Sequence, residues 1–88
     1  MKIKEGFIKS EVLGQAVVVA TKTATDKFNM LKLNDTAADI WDGISDGKNV
    51  SDIVETLISS YNISRESATQ DVNALVDKLK DLGIVDEN

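Results

Sequence analysis

With 88 residues and a formal net charge of -5, the chain has room for one small domain that buries about 60 to 70% of its unfolded surface, which leaves little volume for an enclosed active-site cavity. A hydrophobic content of 42% is enough for one core and argues against disorder. Cys and His are both absent, so the usual ligands of zinc, haem and iron–sulfur clusters and the nucleophiles and bases of most acyl-transfer sites are missing, and no cofactor is expected.

No apolar run approaches the roughly 20 residues of a membrane span, and Met1 to Gly6 does not read as a signal peptide. The expectation is a cytoplasmic protein that meets no membrane. Charge is unevenly distributed: residues 1–33 carry six basic and three acidic side chains, and residues 34–88 four basic and twelve acidic. A basic first third and an acidic remainder suit either an ordinary solvated surface or two surfaces that meet different partners.

Taken in chain order, Ile3 to Val12 mixes spaced apolar residues with Lys and Glu and reads as a half-buried strand. Leu13-Gly14-Gln15 supplies a turn. Ala16 to Ala20 is rich in β-branched residues and reads as a central strand. After a polar loop from Thr21 to Asp26, Lys27 to Leu33 makes a third strand, and three sequential strands with short connections imply an antiparallel meander.

Asn34 can cap a helix, because its side-chain oxygen can accept from a free backbone N–H of the first turn. Ala37, Ile40, Trp41 and Ile44 then share one face, and Trp41 reads as core rather than as a stacking platform. Asp46-Gly47 ends this helix. Asn49 followed by Asp52 resembles a capping box and opens a second helix with the stripe Ile53, Val54, Leu57 and Ile58. Tyr61-Asn62-Ile63 breaks it, and Ser64 caps a third helix. The stripe of the third helix runs Ala68, Val72, Leu75, Val76, Leu79 and Leu82, with Gly83 as the left-handed stop. Ile84 and Val85 are expected to return to the core or the sheet.

The expected class is therefore α+β, a three-stranded antiparallel β-sheet followed by three α-helices, in one domain over residues 1–88. Helices two and three, joined by a tight turn, have a winged helix-turn-helix-like order. Such an order invites a nucleic-acid reading, yet the last helix begins Ser64-Arg65-Glu66 and carries Asp71, Asp77 and Asp81, which disfavours phosphate contact. The carboxylates Asp35, Asp39, Asp42 and Asp46 have the spacing of a solvated helix face, so neither acid–base catalysis nor a cation site is expected. Asn34-Asp35-Thr36 and Asn62-Ile63-Ser64 match the glycosylation pattern but read better as helix entries.

The third strand alternates imperfectly. If Leu31 and Leu33 face the helices, Phe28 and Met30 face away together with Lys32. One reading is a short strand that tolerates apolar residues outside. The other is an apolar patch beside an open sheet edge, where an extended peptide adds as a further strand.

Leu33-Asn34-Asp35-Thr36-Ala37-Ala38 with Ile40-Trp41, then Gly47-Lys48, and later Asp71-Val72 with Leu75, Leu79 and Gly83-Ile84-Val85, resemble the family of pyrroloquinoline-quinone biosynthesis protein D (PqqD), over roughly Val17 to Val85. The resemblance implies a non-catalytic peptide-recognition domain, a chaperone that holds the leader of a ribosomally made precursor peptide for a modifying enzyme. It implies a leader laid along the third strand, with the last helix as the other wall. Carried onto this chain, the strand wall is Lys27, Phe28, Asn29, Met30, Leu31 and Lys32, and the helix wall is Asn73, Val76 and Lys80. Pockets near Phe28, Met30 and Val76 would select side chains, and Lys27, Lys32 and Lys80 would favour an acidic leader. Members commonly act with a radical S-adenosylmethionine (radical SAM) enzyme, whose cluster this Cys-free chain would leave to the partner. Two alternatives remain open: a winged-helix regulator binding DNA or another protein, and a homodimer formed by pairing of the third strand with its copy.

Overall fold

A computed structural model of the chain describes residues 1–21 and 30–86. Its elements are β1 (Lys2–Ile3), β2 (Phe7–Val12), β3 (Gln15–Ala20), β4 (Met30–Leu33), α1 (Asp35–Ser45), α2 (Val50–Tyr61), α3 (Arg65–Asp81) and β5 (Val85–Asp86). Strands β2, β3 and β4 form the expected antiparallel meander, in that order, and the three helices follow. The α+β arrangement is as the sequence predicts.

Two details of the strands differ from expectation. The expected first strand, Ile3 to Val12, is broken, because Gly6 takes a positive φ of 97° and turns the chain between β1 and β2. The freed N-terminal piece pairs with the C-terminus instead: Lys2 lies opposite Asp86 and Ile3 opposite Val85. The Lys4 N–H extends this contact by donating to the Ile84 carbonyl at 2.8 Å. Ile84 and Val85 thus return both to the core and to a strand pair. Of the third expected strand, Met30 to Leu33 is observed, while Lys27, Phe28 and Asn29 lie outside the described residues.

Register sorts the side chains of the main sheet into two faces. Val18 pairs with Leu31 and Lys9, and Ala16 with Leu33 and Glu11, so these residues share the face toward the helices. Leu31 and Leu33 are buried there, whereas Met30 and Lys32 are exposed on the far side. Lys9, on the helix-facing side, bridges to Asp42 of α1 at 2.8 Å and ties sheet to helix at the rim.

All three helices start as the sequence predicts. The side-chain oxygens of Asn34, Asn49 and Ser64 accept from the backbone N–H groups of Ala37, Asp52 and Ser67 respectively, each such cap contributing about 1 kcal/mol. Asn62 closes α2 in a left-handed conformation, φ 52°, which Asn tolerates better than most residues. Below the sheet, Ile40, Trp41, Ile44, Ile53, Val54, Leu57, Ala68, Val72, Leu75 and Leu79 join Val18, Leu31 and Leu33 in one continuous buried cluster. Leu82 does not extend the third stripe: it is the C-cap of α3 and exposed. Ile58 is only half-buried at the edge of the α2 stripe.

Candidate functional site

Strand β4 occupies the end of the β2-β3-β4 order, so one of its edges has no strand partner among the described residues. An unpartnered edge presents backbone N–H and C=O groups to any extended chain that approaches it. The C-terminal end of β4 runs into Asn34, and there a groove of about 230 Å³ opens between α1 and α3. Its floor is Ile40 and Leu75, both buried, and its rim carries Asn34, Thr36, Ala37, Asp71, Ala74 and Lys78. This volume lies below the roughly 300–1,000 Å³ of small-molecule pockets and is of a size for side chains of a bound segment.

Each wall follows from local sequence. On α3, Asp71, Ala74, Leu75 and Lys78 recur at i, i+3, i+4 and i+7, one flank of the core stripe. Ala74 is the small residue that leaves the groove open. On α1, Asn34 is held by two hydrogen bonds at its Oδ1, from the Ala37 N–H at 2.8 Å and from the Thr36 hydroxyl at 3.0 Å. The C=O of Leu33 accepts from Gln15 Nε2 at 2.6 Å, which anchors the end of β4 to β3.

The residues singled out from sequence are distributed as follows. Met30 and Lys32 are exposed on the outer face of β4, beside its open edge. Leu31 is turned into the core, so its backbone alone can serve an edge contact. Asn73 and Lys80 are exposed on α3, and Val76 between them is 6% exposed and packed in the core cluster, as Leu75 and Ile40 are. Those three lie on the flank of α3 opposite the one that lines the groove at the end of β4. Asp71, Ala74, Leu75 and Lys78, which line this groove, were not among the site residues singled out from sequence. Their spacing is readable in the sequence, but so is that of the other flank, and only the docking of α3 distinguishes them.

Among the described residues no polar or charged residue is buried and no three acidic side chains cluster as a metal site, so the desolvated, tuned ionisable groups typical of catalytic centres are not found there. Outside the groove, the hydrogen bond to Asp39, burial and the negative charges of Asp39 and Asp35 push the pKa of Tyr61 up to about 12. No helix among the described residues is long and apolar enough to cross a membrane.

Comparison with known proteins places the whole fold in a family. The sequence model of the family described as coenzyme PQQ synthesis protein D matches residues 15–85, which takes in β3, β4, all three helices and the groove. No curated protein matches the chain. Two solved structures share the fold. One is TbiB1 in complex with the TbiA(beta) leader peptide, with a TM-score of 0.80, 19% identity, and coverage of 100% of this chain and 98% of that one. The other is lasso peptide synthetase B1 complexed with the leader peptide, with a TM-score of 0.77, 28% identity, and coverage of 94% and 93%.

Proposed function

Because this chain belongs to the coenzyme PQQ synthesis protein D family, we propose that it is a non-catalytic peptide chaperone that captures the leader of a ribosomally made precursor peptide and presents it to a modifying enzyme. The observation that carries this reading is the open edge of β4 running into the α1–α3 groove, on the same fold as two proteins described with leader peptides. The leader adds to β4 as an antiparallel strand. Its backbone pairs with the edge, and because strand side chains alternate, every second one faces the helix side while the others stand beside Met30 and Lys32 on the outer side.

Division of labour follows from that geometry. Backbone pairing is sequence-tolerant and supplies affinity, whereas the groove over Ile40 and Leu75 selects an apolar side chain and Lys32 favours an acidic neighbour. This chain has no Cys to hold a cluster, so the modifying chemistry resides in a partner, for which the family resemblance suggests a radical SAM enzyme. Localisation in the cytoplasm suits a protein that meets newly made peptide.

A monomer is the binding-competent form in this reading. Pairing of β4 with its own copy would occupy the edge that the leader needs and would bring the two copies of Lys32 close together, an unfavourable charge arrangement. Titration calorimetry with the cognate leader tests the proposal. A dissociation constant in the low-micromolar range or tighter, equivalent to roughly 8 kcal/mol, is expected, and absence of heat together with strongly salt-dependent binding to duplex DNA would favour the regulator instead.

A further inference from the structure

The far face of the sheet, away from the helices and distinct from the groove, carries its own apolar surface. Ile8 is 50% exposed, Val12 and Met30 are each 48% exposed, and Leu13 is fully exposed at the hairpin tip. Together with Val17, Gln15 and Lys32, three of these residues line a shallow depression of about 280 Å³. Monomeric domains expose single apolar residues routinely, but a contiguous group on one face marks a contact surface.

Leu13 adds an independent observation. With Gly14 it forms the two-residue turn between β2 and β3, and both have positive φ, 52° and 80°. Asn, Asp or Gly are the residues that such a turn favours, whereas Leu carries a steric cost in the left-handed region. None of that cost is recovered by packing, because the whole side chain stands in solvent. A strained apolar residue at an exposed tip is placed for contact with something outside the chain.

Size and charge identify the occupant. Three strands of up to six residues span roughly 14 by 20 Å, the footprint of one docked element. A second copy of the chain would bring a second Lys32 and no acidic residue to this face, and is therefore a poor occupant. A single helix of about 13 residues matches the 20 Å length, and one helix diameter nearly covers the width. Lys32 is the ionisable residue on this face, with no acidic residue beside it among the described residues. We propose that the outer sheet face and the Leu13 tip form a docking surface for an acidic amphipathic helix of a partner protein. The helix supplies on this side the layer that α1 to α3 supply on the other.

The test uses the full ¹⁵N-labelled chain and two synthetic helical peptides of about 14 residues, each with Leu at i, i+3, i+4 and i+7. One carries Glu at its remaining exposed positions, and the other carries Lys there. The acidic peptide is expected to shift the amide signals of Ile8, Val12, Leu13 and Val17, and to bind about tenfold more tightly than the basic one. Leu13→Asn, which relieves the turn, and Ile8→Thr are each expected to weaken it several-fold, with Leu13→Asn leaving the melting temperature unchanged or higher. Equal binding of both peptides, shifts confined to the α1–α3 groove, no binding, or full binding by Leu13→Asn would each overturn the proposal. So would concentration-dependent dimerisation through this face without peptide.

Discussion

Tyr61, the last residue of α2, donates its hydroxyl hydrogen bond to Asp39 Oδ2 of α1 at 2.5 Å. The contact joins two helices through residues 22 positions apart in sequence, and it holds the phenol proton in the folded state, raising the pKa from 10.0 to about 12. A group whose pKa is raised by folding contributes stability that is present below its unfolded pKa and is lost as pH rises through its folded one. Stability is thus expected to fall between about pH 10 and pH 12 in the native protein and to fall less over that window in Tyr61→Phe. Because the chain has one tyrosine, tyrosinate absorbance during alkaline titration reports this site alone. At neutral pH, Tyr61→Phe should cost about 1 kcal/mol in urea unfolding, the usual net worth of one hydrogen bond.

Gly43 of α1 packs directly against Ile53 of α2. A Cβ placed there would stand 2.7 Å from Cγ1 of this buried side chain, which would have to shift. Gly43→Ala gains up to about 1 kcal/mol of helix propensity, but overpacking a filled core costs about 1–3 kcal/mol. The expected outcome is net destabilisation of about 1 kcal/mol, read as a lower urea midpoint with an unchanged slope.

The two flanks of α3 are the two candidate helix walls for a bound peptide. Ala74 lies on the groove flank, and Asn73 lies on the other, both in exposed positions. Ala74→Trp should fill the groove and weaken leader binding by tenfold or more, about 1.4 kcal/mol, while Asn73→Trp should leave it within twofold. Circular dichroism should show both variants folded. The reverse ranking would transfer the helix wall to Asn73 and Lys80.

Lys32, exposed on β4, should act through charge. Lys32→Glu is expected to weaken an acidic leader by roughly 0.5–1 kcal/mol, the scale of an exposed ion pair, with the difference shrinking as salt is raised. A neutral leader should bind the two proteins alike.

Much of this architecture was legible in the sequence because short-range chemistry dictates it. Asn34, Asn49 and Ser64 each had a free N–H to cap two or three residues on, and each caps in the folded chain. Trp41 belonged to a stripe at helical spacing and is core. What escaped the reading depends on contacts distant in sequence. Lys2 and Ile3 leave the expected first strand because Val85 and Asp86 arrive from the other end of the chain to pair with them. Leu82 continued the apolar period of α3 by spacing, yet it falls beyond the last helical residue, where the C-cap turns it to solvent. Periodicity defines the two flanks of α3, Asn73, Val76 and Lys80 on one and Asp71, Ala74 and Lys78 on the other, but not which of them borders the groove beside Asn34.

The central claim is that a leader peptide becomes the next strand beyond β4. Amide hydrogen exchange of the ¹⁵N-labelled chain, with and without saturating leader, tests it most directly, because a new ladder protects only amides that gain a partner. The account predicts slowed exchange at β4 amides between Met30 and Leu33, accompanied by nuclear Overhauser contacts from those residues to the peptide backbone. Unchanged exchange across β4, with protection confined to α2 or to the exposed hairpin at Leu13, would contradict it.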